Sequence, residues 1–434
     1  YGEWSFRPGV PTAGSTSPLW SALLALGFLI NLEPYIWTYF LGLLTMFALS
    51  VVSEITVRRL VAAYIPRIPW VGIFIIFEWH LLWAAMSGME TLLHGLIATA
   101  ILSALMMNSR RYLTLGLLAG LSVWVRPDGL TLLGPLVLAV LLTETDMPSR
   151  TRSLLRVILG FGAIFLFYLL FNLLIGGTPM PNTFYAKQAE YAAWQGFPLS
   201  RRFGEMFIQL LVGPSFLLLP GIVLWTVRSY RSRSWGSLLA LTWSVGYMLL
   251  YVLRLPMYQH GRYIMPAMPI FFLIGILAVL EFSSSKTFGR YQWFASTLWN
   301  ISLGMVSLLF IVLGARAYAQ DVALIEQEMV ESAQWASANI PRGVVIAAHD
   351  IGALGYFDTH SLLDLAGLVS PEVVPFIRDE VRLAVYLNQK NAAYLIAFSD
   401  LYPDMTIGKE TIFVTDGSVA TEADYPRMTI YRWK

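Results

Sequence analysis

Cysteine is absent from all 434 residues, which removes disulfide frameworks, thiolate metal sites and a cysteine nucleophile. Charge is scarce too. Asp, Glu, Lys and Arg supply 13% of the chain against 57% for hydrophobic residues, where soluble domains carry about 25% charged residues. That balance excludes an ordinary soluble protein and predicts a polytopic membrane bundle with something smaller attached. A formal charge of +2 gives no basic excess for nucleic acid, and none is expected as a partner. The five histidines are scattered without ligand spacing, so a metal cage built from protein alone is not expected. There is no internal repeat, low-complexity tract or coiled-coil heptad. The chain opens at Tyr1 inside a polar Gly/Pro-rich stretch and reads as N-terminally incomplete.

What the chain has is apolar length. About ten stretches approach the roughly 20 residues that a span needs: 34–52, 70–87, 89–107, 112–125, 129–143, 156–175, 206–227, 236–253, 265–282 and 292–314. Residues 19–32 are shorter, lie between Pro18 and Pro34, and suit a helix in the membrane interface. With that assignment, one side receives Arg58, Arg59, Arg67, Arg110, Arg111, Arg150, Arg152, Arg156, Arg228, Arg231, Arg233, Lys286 and Arg290. These are 13 of the 20 basic residues before residue 315, and the positive-inside rule makes that side cytoplasmic. The C-terminal region then falls outside.

Charge divides the chain at the same place. Residues 1–314 hold 20 basic and 11 acidic side chains, and residues 315–434 hold 9 and 16. After residue 315 an amphipathic helix is predicted, followed by β-type runs at GVVIAAH, SLLDLAG, AAYLIAF, TIFVTD and MTIYRW. The expected architecture is an outer-face loop and interfacial helix at 1–33, an all-α transmembrane bundle at 34–314, and an extracytoplasmic α/β domain at 315–434.

The ornate polar clusters all fall on the predicted outer face: FRPGVPTAGSTSPLW (6–20), SGMET (87–91), RPDG (126–129), TPMPNTFYAK (178–187), QHGRYIMP (259–266) and AAHDIGALGYFD (347–358). Loops that only need solvation do not need such residues on helix ends, whereas a binding site does. In this order the clusters resemble bacterial polyprenyl-phosphate-dependent membrane glycosyltransferases of the GT-C type, the branch that includes terminal arabinofuranosyltransferase-like and protein O-mannosyltransferase-like proteins. The resemblance runs from about residue 5 to about residue 370. It implies a bacterial cytoplasmic membrane location, a polyprenyl-phosphate-linked sugar as donor, and a glycan, lipid or protein as acceptor. Two departures stand out. Thr12, Ala13 and Gly14 occupy the segment before TSPLW where related sequences usually carry an acid. The Asp that supplies the family's base in the first outer loop has no match in this chain, so the base is expected upstream.

The chemistry narrows the residues. A sugar phosphodiester leaves as an anion and needs cations more than a proton donor, and Lys187, Arg262 and Arg126 lie nearest the motif centres. Asn182, Tyr185, His260, Tyr263, His349 and Asp350 accompany them as donor or substrate contacts. Glu90 and Asp128 are candidate orienters of the attacking hydroxyl. A divalent ion, Mg or Mn, shared between a carboxylate and the lipid phosphate is an open cofactor reading. Each residue also has a structural reading. Arg126 can pair with Asp128 at a helix end, Lys187 can snorkel, Arg262 can anchor a helix start, Glu90 can sit on a helix dipole, and Asp350 can hold a turn. Glu78 and His80, inside a predicted span, are either functional or paired. Two other readings stay open: a non-catalytic lipid-glycan subunit of the same fold, and a transporter or flippase.

Overall fold

The computed structural model describes residues 2–284, 289–418, 420 and 425–434, so Lys286 lies outside the described residues. The chain forms two compact units. One contains Ser17–Leu170 and Trp194–Ala315, and the other contains Tyr1–Thr16, Phe171–Ala193 and Arg316–Lys434.

The first unit is helical and built for lipid. Pro34–Leu60, Met147–Gly176, Trp235–Arg254, Gln259–Ser284 and the run Gly289–Asn339 are long and apolar enough to cross a membrane. Together they make a multi-pass membrane protein. Thr91–Met106, Tyr112–Val125 and Pro127–Thr143 are apolar but shorter, so three of the ten predicted stretches fall below the usual span length. Pro18–Leu29 is a helix of 12 residues, about 18 Å at 1.5 Å per residue and too short to cross.

Two predicted spans are broken, each for a visible reason. The 70–87 stretch is two helices, Trp70–Phe77 and Trp79–Met86, meeting at Glu78, whose backbone is extended (ψ 121°). The Glu78 carboxylate accepts from Leu81 N at 3.1 Å and pairs with His80 Nδ1 at 2.9 Å, while His80 Nε2 meets Gln209 O at 2.9 Å. Both side chains are fully buried, and each satisfies the other. The 206–227 stretch is a pair bent by 100°, Leu199–Leu211 and Ser215–Arg231. Gly213 takes φ +106° between them and Pro214 follows, a combination that ends one helix and starts another. Its first half carries Arg201, Arg202 and Glu205 among apolar residues, so it is amphipathic and not a half-span.

A third device joins neighbours. Glu54, inside Pro34–Leu60, accepts from Val71 N and Gly72 N at 3.1 Å each, and Arg58 Nε donates to it at 2.6 Å. The carboxylate thus occupies the N-terminal end of the next helix, where orphan N–H groups and the helix dipole favour negative charge.

The second unit holds a five-stranded sheet beside a small hairpin of β1 (Ser5–Arg7) and β2 (Val10–Pro11). Its strands are β3 (Val345–Ala348), β4 (Ser361–Asp364), β5 (Ala392–Phe398), β6 (Glu410–Val414) and β7 (Met428–Arg432), in the order β4-β3-β5-β7-β6. β3 runs parallel to β4 and β5, while β7 is antiparallel to β5 and β6. Four of the β-type runs read from the sequence contain one of these strands, and TIFVTD covers all of β6 except Glu410. One core cluster gathers Val373, Leu383, Tyr386 and Leu387, and another gathers Ala333, Ala336, Ile351 and Leu354. Asn182–Glu190, read from the sequence as part of an outer loop, is a helix of this unit, with Ala189 packed against the first cluster.

Helices of the membrane unit touch at backbone distance. A Cβ on Gly42 would lie 1.8 Å from Ala85 O, and one on Gly236 would lie 2.1 Å from Leu105 O. Small residues at such crossings permit close van der Waals packing where no hydrophobic driving force exists between helices. Gly42→Ala should therefore cost about 1–3 kcal/mol as an overpacked contact. Gly134→Ala, where a Cβ meets nothing within 4 Å, should be neutral or mildly stabilising. Thermal unfolding of the two variants in detergent checks this, and equal midpoints would contradict the close crossing.

Candidate functional site

In the membrane unit the polar residues converge on one guanidinium. Tyr112–Val125 ends at Arg126, whose backbone is extended (φ −154°, ψ 139°), because Pro127 disfavours helical backbone in the residue before it. The side chain turns inward and is 6% exposed. Its Nε donates to Asp128 Oδ2 at 2.9 Å, Nη1 to Glu90 Oε1 at 3.1 Å and Nη2 to the Tyr251 hydroxyl at 3.0 Å. Asp128 Oδ2 also accepts from the Tyr247 hydroxyl at 2.8 Å and from that of Tyr251. Tyr263 stacks on Tyr251 with centroids 5.4 Å apart, and its ring lies 5.8 Å from the Arg126 guanidinium and 4.9 Å from that of Arg262.

Arg262 has different company. It donates to Gln259 Oε1 at 2.6 Å and to the Tyr263 hydroxyl at 3.1 Å, and approaches the Met89 sulfur at 3.4 Å. These neighbours are neutral and the side chain is partly exposed, so its charge remains available to an anion. His260, in left-handed backbone (φ +57°), meets the rings of Trp79 and Trp83 edge-on at 5.5 and 5.4 Å.

The structure thus gathers Glu90, Arg126, Asp128, Tyr263 and Arg262, as their motifs suggested. It adds Tyr247 and Tyr251, which sequence reading missed. Their four-residue spacing inside an apolar helix was the signal available, since it puts two hydroxyls on one face. Arg126 serves as counter-ion to both carboxylates. That also bears on a divalent ion: Glu90 and Asp128 share a guanidinium whose charge would oppose one. Among the described residues no three His, Cys, Asp or Glu side chains converge as metal ligands.

The second unit carries its own cluster. β3 ends at Ala348 and delivers His349 and Asp350, while β5 delivers Tyr402 a few residues past its end. The chain leaves β3 for β4 on one side and returns in β5 on the other, which makes this the switch point where open α/β sheets bind ligands. His349 Nδ1 lies 2.7 Å from the Tyr402 hydroxyl and its Nε2 3.9 Å from Glu190 Oε1. Arg378 donates to Glu190 Oε1 and, through Nε, to the Glu190 carbonyl at 3.3 Å. Glu190 Oε2 is buried without a hydrogen-bond partner among the described residues.

Asp364, at the end of β4, accepts from Ala366 N at 2.9 Å and Val369 N at 2.6 Å. Asp350 begins the Ile351–Phe357 helix without a side-chain capping bond. Lys187 lies on the Asn182–Glu190 helix three residues before Glu190, in its last turn, where a cation suits the dipole. On the same helix Asn182 is buried, its N–H bonded to Ala13 O at 3.0 Å, and Tyr185 packs edge-on to Phe184 at 5.4 Å. Sequence reading found His349 and Asp350 but not Glu190, Arg378 or Tyr402, which are brought to them from distant positions in the chain.

Burial shapes the protonation of this cluster. It raises Glu190 and Asp364 above the ordinary carboxylate range. Burial and then Asp364 push Asp350 up to about 6, and burial and then Arg378 push His349 down to about 4.

Residues 318–432 match a domain of unknown function, DUF8728. No curated protein matches the chain in sequence. Among solved structures, ArnT from Cupriavidus metallidurans bound to undecaprenyl phosphate is similar over 97% of this chain and 88% of its own, at 13% identity and a TM-score of 0.53. ArnT from the same organism in the apo state aligns over 99% of this chain and 95% of its own, at 12% identity and a TM-score of 0.47. The first likeness establishes the fold: a GT-C-like helical bundle with a C-terminal α/β region.

The two shifted groups at the switch point oppose each other. His349, depressed in the folded state, contributes stability that is lost as pH falls from about 6.5 to about 4. Asp350, raised in the folded state, contributes stability that is lost as pH rises from about 4 to about 6. Single substitutions separate them. Asp350→Asn should leave a protein that loses about 1–3 kcal/mol on acidification through this window, and His349→Gln one that loses a similar amount on alkalinisation. Unfolding midpoints of the full chain in detergent from pH 4 to 7 test this, because the other carboxylates are common to both variants. Parallel pH profiles would contradict it.

Proposed function

We propose that the chain is an integral membrane glycosyltransferase that takes its sugar from a polyprenyl-phosphate donor and passes it to an extracytoplasmic acceptor. The supporting observation is the GT-C-like fold, shared over 97% of the chain with a protein whose structure holds undecaprenyl phosphate. In such a transfer the acceptor oxygen attacks the anomeric carbon, the bond from that carbon to the phosphate oxygen breaks, and the lipid phosphate leaves with the electron pair. The leaving anion needs a cation whose charge is not already spent. Arg262 meets that requirement in the membrane unit, and Arg126, bound between Glu90 and Asp128, holds the frame beside it. Lys187, a phosphate candidate by the same charge argument, belongs to the other unit. Glu90 and Asp128, each paired to Arg126, act as orienting acceptors.

Orientation follows from the positive-inside rule. Arg58, Arg110, Arg150 and Arg231 face the cytoplasm, and the α/β unit, the acceptor's side, faces outward. The absence of cysteine gives single-cysteine labelling a clean background. With an impermeant thiol reagent on intact cells, position 350 should label and position 231 should not. The reverse pattern would overturn the orientation.

Donor binding gives the chemical test. Arg262→Ala should weaken undecaprenyl phosphate binding in detergent micelles by about 1.5–3 kcal/mol, the range for a hydrogen bond to a charged group. Its thermal midpoint should hold, because its partners are neutral and it is partly exposed. Unchanged affinity would remove Arg262 from the donor site. Donor binding without transfer to any acceptor class would favour a non-catalytic lipid-glycan subunit of the same fold.

A further inference from the structure

Glu190 is a costly residue that the donor chemistry leaves unused. A buried carboxylate oxygen without a hydrogen bond forfeits the water it left, at about 1–3 kcal/mol or more for a charged group. One of its oxygens is satisfied by Arg378 while the other, Oε2, has no partner among the described residues. Beside it, His349 Nε2 stands 3.9 Å from Oε1. That is too long for a direct hydrogen bond, yet one ligand oxygen can bridge such a gap at ordinary distances to both atoms. His349 is held for this by Tyr402, bonded to its Nδ1 at 2.7 Å, so that Nε2 points away from the protein's own hydroxyl. His349 and Arg378 remain 17% and 51% exposed at their side chains, which leaves the cluster open to solvent on that side.

The chemistry of the cluster selects among ligands. Glu190, Asp350 and Asp364 outnumber the single Arg378, which opposes a phosphate or carboxylate. No three of these groups converge with metal-ligand geometry among the described residues, which opposes a bound cation as the occupant. A carboxylate with a spare lone pair, a neutral imidazole and a buried phenol match neutral hydroxyl groups, each a donor and an acceptor. The location agrees, at the carboxyl ends of β3 and β5 where the strand order reverses.

We propose that this switch-point crevice binds a neutral saccharide through its hydroxyls, with the Glu190 carboxylate and His349 Nε2 as direct contacts and Tyr402 as a positioning residue for His349. The inference rests on the transferase reading, for which it makes the acceptor a glycan instead of a lipid or protein. Burial keeps His349 neutral near pH 7, so its ring can accept or donate to a hydroxyl without imposing a charge.

The test uses the full chain in nanodiscs and measures two affinities on each sample: neutral di- to tetrasaccharides of pentoses and hexoses, by saturation-transfer NMR and calorimetry, and undecaprenyl phosphate. Glucosamine and inorganic phosphate serve as further probes. At least one neutral saccharide should bind, and Glu190→Ala and Tyr402→Phe should each weaken it about tenfold or more while leaving undecaprenyl phosphate affinity unchanged. Tyr402→Phe loses one hydroxyl and keeps its ring, so it guards against a folding defect. Normal lipid binding with no saccharide binding, or with saccharide binding indifferent to both variants, overturns the crevice and spares the transferase reading. Binding of glucosamine or phosphate alone overturns the ligand class. Loss of lipid phosphate binding in the unmutated protein overturns the transferase reading itself.

Discussion

A charge inside an apolar bundle must be neutralised by what surrounds it, and the membrane unit is arranged around that requirement at Arg126. Two carboxylates and a phenol take its donors, two tyrosines share Asp128, and the pair Tyr251–Tyr263 stacks beside it. These contacts draw together the Tyr112–Val125 end, the start of Thr91–Met106, the Trp235–Arg254 helix and the turn before Met268. Removing one member of such a set leaves an uncompensated buried charge, which costs far more than the set contributes when intact. The same rule recurs at Glu54, held by Arg58 and two helix N–H groups, and at Glu78, held by His80 and one.

The backbone obeys a parallel rule. In hydrocarbon every N–H and C=O must be satisfied internally, so irregular backbone survives only where protein supplies the partners. The break at Glu78 is satisfied by its own carboxylate, and the turn at Arg126 by its hydrogen bond to Ser122 O at 2.9 Å. The bend at Gly213 uses a conformation that a side chain would strain. Polar residues and helix interruptions therefore coincide because one set of groups answers both costs.

The two units differ in the kind of charge they leave to a ligand. In the membrane unit Glu90 and Asp128 are spent on Arg126 while the neighbouring Arg262 has neutral partners, which suits an anionic leaving group. At the switch point of the α/β unit acids outnumber Arg378, and Glu190 Oε2 has no hydrogen-bond partner among the described residues, which suits hydroxyl groups. Donor and acceptor chemistry in a sugar transfer make these same opposite demands.

Much of this was legible in the amino-acid order. Apolar length identified membrane helices, and β-type runs at 343–349, 361–367, 392–398, 411–416 and 428–433 located all five strands of the sheet, because local periodicity and propensity act within a few residues. Motif order indicated that Glu90, Asp128 and Arg262 were worth singling out. The breaks at Glu78 and Gly213 were not read, since hydropathy averages over the single residues that decide them. Arg126 was read as able to pair with Asp128, which it does, but its partners Glu90 and Tyr251, 36 and 125 residues away, were not read. Glu190 was not singled out, and only the folding of Asn182–Glu190 against the C-terminal unit set it beside His349, Arg378 and Tyr402. Sequence fixes what each segment can become on its own. Which charges neutralise one another, and which is left over for a ligand, depends on distances between remote residues that exist only once the chain has folded.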